Sequence, residues 1–214
     1  NLPLIRHIAG FGKPIIMSTG MQTIETMRES VAILDAAGVE YALLECTNLY
    51  PSPPEIVSLK GVTELQNAFP KAHVGFSDHS IGPDMALASV ALGACILERH
   101  YTDTRYRKGP DVICSMDPAE LKYLIDRSRE IHTALHNEKQ RTGPEEDVYR
   151  FARASVVADA DLSAGHVITE ADIWARRPGS GAIPGYDFDK VVGKTLKIAV
   201  ARNQQLTWDD LSDA

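Results

Sequence analysis

Cysteine is scarce. The chain has three, Cys46, Cys95 and Cys114, with no CxxC spacing. That excludes a disulfide framework and a thiolate zinc knuckle, and an odd, sparse count fits a reducing, cytoplasmic setting. Basic excess is lacking too: 22 Lys and Arg face 29 Asp and Glu, for a net charge of −7. With no basic block, a nucleic-acid partner is not expected. No apolar run approaches the roughly 18 residues of a membrane span, and no signal-peptide pattern is present, so no membrane partner is expected. No low-complexity segment and no sequence repeat stand out. An initiator Met is missing as well: the chain opens at Asn1, and a piece of something longer is the expectation. What is present is ordinary globular composition, 44% hydrophobic and 24% charged over 214 residues. That is enough for one large or two small domains.

A rhythm runs through the first two thirds. Lys13 to Gly20 (KPIIMSTG) is a β-branched apolar run ending in small polar residues, and a helical pattern follows with Ile24, Met27, Val31 and Leu34 on one face. Thr23 and Thr26 offer hydroxyls at its start and Gly38 stops it. The same sequence of events repeats: YALLECTNLYP (Tyr41 to Pro51) then SLKGVTELQNAFP, VGFSDH then PDMALASVALG, and ACILERH then DPAELKYLIDRSREIHTALH. Near-continuous apolar strands with polar C-terminal ends predict a parallel sheet covered by helices. Function in such sheets gathers at the strand C-termini. The pattern breaks in a charged stretch, NEKQRTGPEED, which reads as a linker. The predicted organisation is an α/β domain over residues 1–136, a linker over 137–150, and a small β-rich module over 151–214.

Two of those strands end in an imidazole, His79 after VGFSD and His100 after CILER. A strand end, a short helix and a return strand fit the interval between them. Both side chains would then emerge at the same edge of the sheet. Two His with open positions suit a Lewis-acid metal such as Mn²⁺, Zn²⁺ or Fe²⁺. A His pair is a weak signal by spacing alone, and two unrelated polar strand-end residues explain it equally. His132 and His136 are four apart on a charged helix and read as a solvated face. His7, His73 and His166 read as surface residues. Glu98 and Arg99 flank His100 and read as structural.

The motifs STGM (Ser18 to Met21), CTNLYP (Cys46 to Pro51), FSDHS (Phe76 to Ser80), ILERHYTD (Ile96 to Asp103) and GPD (Gly109 to Asp111) occur in the order found in sialic acid synthases. FARASVVA (Phe151 to Ala158) and RRPGSG (Arg176 to Gly181) resemble that family's C-terminal antifreeze-like SAF domain. The resemblance covers essentially the whole chain and includes the relatives that make legionaminic or pseudaminic acid. It implies a (β/α)8 TIM barrel, with about four βα units in this chain, followed by a small β-rich SAF domain. It also implies a transferase reaction. Phosphoenolpyruvate (PEP) condenses through C3 with open-chain N-acetylmannosamine or a related N-acyl sugar, water adds at C2, and phosphate leaves from the resulting adduct.

Residue by residue, the resemblance implies a divalent metal on His79 and His100, typically Mn²⁺, with Mg²⁺ or Co²⁺ as alternatives. It assigns Ser18, Asn48, Tyr50 and Ser77 to PEP. Taken singly, each could merely cap a strand end. Asp111 is implied to orient a water or a sugar hydroxyl near the metal, and by its own residues it is also a common turn Asp after Gly-Pro. Arg177 is implied to reach the N-acetyl end of the sugar in the other subunit of a homodimer whose SAF domain covers the partner's barrel. Arg176 beside it competes for that assignment.

The sequence departs from the family in one respect. Four strand–helix units resemble the second half of its barrel. The lysines that grip PEP, and a glutamate at the reaction centre, have no counterparts here. These units alone are expected not to turn over substrate. Two other readings compete: a different PEP aldol-type synthase, which the SAF tail and the SDH and ERH pair argue against, and a non-catalytic carbohydrate-binding or scaffold fragment.

Overall fold

The structure is a computed structural model describing residues 1–213. It forms two compact units, Asn1–Asn137 and a second from Glu138 onward.

The first unit opens with a helix that the sequence pattern does not announce, α1 (Leu2–Ala9), capped by the Asn1 side chain on the Leu4 amide at 3.2 Å. Then β1 (Ile15–Ser18), α2 (Ile24–Ala37), β2 (Tyr41–Cys46), α3 (Lys60–Ala68), β3 (His73–Asp78), α4 (Asp84–Ala91), β4 (Leu97–Arg99) and α5 (Pro118–Leu135) alternate. The capping of α2 is as read: Thr23 and Thr26 bond reciprocally, and Gly38 ends the helix at φ 64°. A reciprocal Asp117 and Glu120 box with Pro118 in the first turn starts α5.

The four strands are parallel and lie in sequence order, β1-β2-β3-β4. Consecutive parallel strands joined by right-handed helical crossovers place their helices on one face. Register confirms the division. Tyr41, Leu43, Val74 and Phe76 meet Met27, Val31 and Leu34 of α2 and Val62 and Leu65 of α3 in one core. The alternate residues Ile16, Ser18, Ala42, Leu44, Cys46, Gly75 and Ser77 share the other face. At β1 that face is open, with Ile16 61% exposed. The result is the half-barrel type of β/α sheet, with the strand C-termini together at one edge.

Glu45 is the exception in the helix layer. It lies toward α3, where any side chain at Gly61 would collide with its carboxylate. Burial, and then the nearby Glu64 carboxylate, push the Glu45 carboxyl up to about 7 despite the Cys46 amide. A carboxyl raised in the folded state contributes stability that is complete below its ordinary value and is lost as pH climbs through about 7. Glu45→Gln is therefore expected to leave stability near pH 4.5 unchanged. By pH 8 it should gain about 1–2 kcal/mol over wild type, solvent screening of this half-buried group allowed for. Denaturant melts across that range check it; parallel pH profiles would refute it.

The second unit begins with a correction. The stretch read as a linker, 137–150, runs into α6 (Glu146–Ala152), which extends into the stretch read as the β-rich module. A 3-10 turn (Gly143–Glu145) leads directly into the helix: the Thr142 amide and hydroxyl bond Glu145 there, with Pro144 in that turn, and the Arg141 guanidinium lies 3.9 Å from the Tyr149 ring centroid. These contacts stabilise a helix too short to show a period. Beyond it, β5 (Ser155–Ala158) pairs antiparallel with β6 (Ile173–Arg176). After the short α7 (Phe188–Val191), β7 (Thr195–Leu196) pairs antiparallel with β8 (Leu211–Ser212).

This unit also contains a repeat that the sequence reading missed. Ile168-Thr169, Asp172 and Ile173 correspond at constant offset to Leu206-Thr207, Asp210 and Leu211. In each copy the Thr amide and hydroxyl bond the Asp carboxylate. The backbone bonds reciprocate as well: Leu162 and Val200 exchange amide and carbonyl at 2.9 Å, and Gly165 to Leu196 matches Asn203 to Ala158 at 2.7 Å. Gly165 and Asn203 are both left-handed, at φ 82° and 68°. An internal twofold axis therefore passes between Leu162 and Val200. His166, read as a surface residue, is half-buried and bonds Asp172 at 2.9 Å.

Candidate active site

The C-terminal edge of the parallel sheet gathers the candidates of the first unit. His79 follows β3 and is 5% exposed. Its Nδ1 lies 2.9 Å from the Thr47 carbonyl at the end of β2. A carbonyl only accepts, so Nδ1 carries the proton and the Nε2 lone pair is left for a ligand. His100 follows β4. The two imidazole centroids are 5.3 Å apart, and the Tyr50 ring lies 4.0 Å from His79 and 5.5 Å from His100. Ser52 fixes the loop that carries Tyr50: its hydroxyl donates to the Thr47 and Leu49 carbonyls, and its amide donates to the His79 carbonyl at 3.0 Å.

Asn48 accepts from Cys46 Sγ at 2.9 Å and lies over the STG turn, where a side chain at Gly20 would collide with it. Gly20 in turn donates to Ser18 Oγ at 3.5 Å. Ser77, 3% exposed, donates to Glu98 Oε1 at 2.7 Å. Asp111 stands beside His100, with Oδ2 3.6 Å from Nδ1. Ser18, Asn48, Tyr50, Ser77, His79, His100 and Asp111 are thus all at or just past the ends of strands of one sheet.

Sequence reasoning missed Cys114. Its sulfur, the Asp111 carboxylate and a His100 nitrogen lie within 4.8 Å of one another. Burial, and next the Asp111 charge, push the Cys114 thiol up, and Sγ already donates to the Asp111 carbonyl at 3.3 Å. The phenol of Tyr50 is also raised, first by burial and then by neighbouring acidic groups, Asp111 and Glu98 among them, so it stays a donor. Of the pair read as structural, Arg99 points into the helix layer, ion-paired to Asp78. Glu98 is the correction: by register with Ser77 it faces the site.

The donor set fits a divalent cation. One imidazole nitrogen is held as a free lone pair, a second imidazole stands across from it, and a carboxylate is adjacent.

Arg177 belongs to the second unit. Its side chain is exposed and, among the described residues, makes no hydrogen bond or ion pair. Arg176 bonds Asn203 and Asp159 instead. Of the two arginines, only Arg177 is presented outward.

A parallel β/α sheet with the candidate residues gathered at its strand ends, followed by a small antiparallel β unit, defines the class. The NeuB family matches residues 1–140 and the SAF domain residues 153–212. The chain belongs to the NeuB family. It is 37% identical over 198 residues to the N,N'-diacetyllegionaminic acid synthase of Campylobacter jejuni, covering 91% of this chain and 59% of that protein. It is 31% identical over 207 residues to human N-acetylneuraminate-9-phosphate synthase, covering 96% and 58%. Among solved structures, the N-acetylneuraminic acid synthetase of Leptospira borgpetersenii, in complex with citrate, superimposes with a TM-score of 0.64 at 30% identity. That match covers 69% of this chain and 52% of the other. The chain therefore spans well under two thirds of the length of these relatives.

Proposed function

We propose that this chain is the C-terminal part of a PEP-condensing nonulosonate synthase. Its sheet would be one half of a (β/α)8 barrel. The observation that carries the reading is the convergence of His79, His100, Tyr50, Asp111 and the Ser77–Glu98 pair at one strand edge in a NeuB-family chain. His79 and His100 would hold the metal, most simply Mn²⁺. When bound, it supplies Lewis-acid polarisation of the sugar aldehyde toward attack by PEP C3. Asp111 orients a sugar hydroxyl beside His100.

Ser18, Asn48, Tyr50 and Ser77 donate to PEP. Tyr50 keeps its proton because burial first, and then nearby acidic groups, disfavour the phenolate. Ser77 is held against Glu98 and must turn from that carboxylate to reach an anion. None of the four is cationic, so much of the ligand charge must be met by the metal and by groups outside this set. The sugar is N-acetylmannosamine or a diacetamido relative, and Arg177 reaches its N-acyl end in a homodimer.

The test is PEP-dependent phosphate release by the complete gene product with N-acetylmannosamine and the legionaminic and pseudaminic acid precursors. One of the three is expected to support turnover. Removing the Asn48 amide or the Tyr50 hydroxyl should raise the KM for PEP about tenfold or more, the size of a hydrogen bond to a charged ligand. The KM for sugar should move less. Equal effects on both substrates remove the PEP assignment, and no release with any sugar refutes the function.

A further inference from the structure

We propose that Ser155 is a positioning residue for Arg177, fixing the turn that presents the guanidinium to substrate. The inference rests on the assignment of Arg177 to the sugar. Ser155 is completely buried at the start of β5. Its hydroxyl donates to the Pro178 carbonyl at 3.0 Å and accepts from the Gly181 amide at 2.9 Å. One oxygen therefore grips both ends of the turn that begins immediately after Arg177. The Pro178 carbonyl also accepts from Gln205 Nε2 at 3.1 Å, and the Gly179 amide donates to the Arg150 carbonyl at 2.9 Å.

The turn is close against its support. A Cβ at Gly179 would stand 2.6 Å from the Arg153 Cβ, and one at Gly181 would stand 2.8 Å from the Ser155 side chain. Three residues of the turn are thus held by side chains and backbone of two other segments, while the side chain of the arginine preceding them makes, among the described residues, no hydrogen bond or ion pair. A long cationic side chain loses rotamer freedom when it binds. An anchored backbone limits that loss to the side chain, and a loosened turn adds its own. In a buried setting, a hydroxyl that satisfies both a carbonyl and an amide is also the group whose removal leaves both unpaired.

The experiment is a double-mutant cycle in the complete gene product, with Mn²⁺, PEP and whichever N-acyl sugar supports turnover. Ser155→Ala is expected to raise the sugar KM roughly five- to tenfold, with kcat and the KM for PEP changed by less than about twofold. Arg177→Ala should raise the sugar KM at least as far. The double variant should match Arg177→Ala alone, because the serine acts only through the arginine. Gln205→Ala should move the sugar KM in the same direction by less. Hydrogen exchange at the Gly181 amide should quicken in Ser155→Ala.

Multiplying effects in the double variant would overturn the proposal. So would an unchanged sugar KM in Ser155→Ala despite faster Gly181 exchange. If Ser155→Ala fails to fold, Gln205→Ala decides, and an unchanged sugar KM there refutes it. If Arg177→Ala leaves the sugar KM unchanged, the sugar assignment fails first and takes this inference with it.

Discussion

Mn²⁺ affinity and turnover are expected to fall together when His79 is replaced by Ala in the complete gene product, each by at least about a hundredfold. The expectation follows from two features. The Thr47 carbonyl at 2.9 Å holds the proton on Nδ1 and leaves the Nε2 lone pair free, and His100 stands across at 5.3 Å between ring centroids. His100→Ala should behave alike. The geometry also offers a rival donor set, His100, Asp111 and Cys114, so the discriminating variant is Cys114→Ser. The thiol is buried, raised by its surroundings and already bonded to the Asp111 carbonyl. Mn²⁺ is a hard cation that prefers oxygen and nitrogen. Cys114→Ser is therefore expected to bind Mn²⁺ within about threefold of wild type. Calorimetry with the metal alone reads this without any assay of turnover. If Cys114→Ser loses Mn²⁺ as severely as His79→Ala, or if His79→Ala retains it, the two-histidine assignment is wrong.

The strand-end residues were legible because the chain spells each strand as an apolar run and then switches to polar residues where a parallel sheet opens. The helix starts at Thr23 and Asp117 were equally local, since a cap is written within four residues. Other features depended on distance. Cys114 joins the site through a loop after β4, and nothing in the sequence near it marks the burial that raises its thiol. Glu98 and Arg99 are adjacent and both charged. Only the register with Ser77 and Asp78 sends one to the open face and the other into the helix layer. Short α6 escaped because it has no apolar stripe: it continues from the boxed 3-10 turn Gly143–Glu145 and is flanked by the Arg141–Tyr149 contact. The twofold repeat of the small unit escaped because its copies share a Thr, an Asp and hydrophobicity at the flanking positions. Its clearest mark, a left-handed residue, is Gly165 in one copy and Asn203 in the other.

Arg99 and Asp78 connect the two halves of the candidate site from behind. Their side chains are 2% and 1% exposed, with Nε 3.4 Å from Oδ2. The guanidinium also donates to the carbonyls of Ser80 and Gly82, just past His79, and reaches that of Cys114 beyond Asp111. Asp78 Oδ1 accepts from the Ser80 amide at 2.8 Å. One cation therefore links the loops after β3 and β4 while its head stays out of water. Removing it leaves a buried carboxylate with no counter-charge and three carbonyls short of a donor. Arg99→Met is expected to cost about 3–5 kcal/mol. Asp78→Asn should cost less, because the arginine keeps its carbonyl partners and the amide can still accept from Ser80. Urea melts of the two single variants and the double should show strong coupling, the double losing less than the two singles combined. Mn²⁺ affinity should also drop in Arg99→Met under conditions where it remains folded, since both histidine-bearing segments lose a common support. A loss below about 1 kcal/mol for Arg99→Met would show that the pair is replaceable and that the loops hold their places without it.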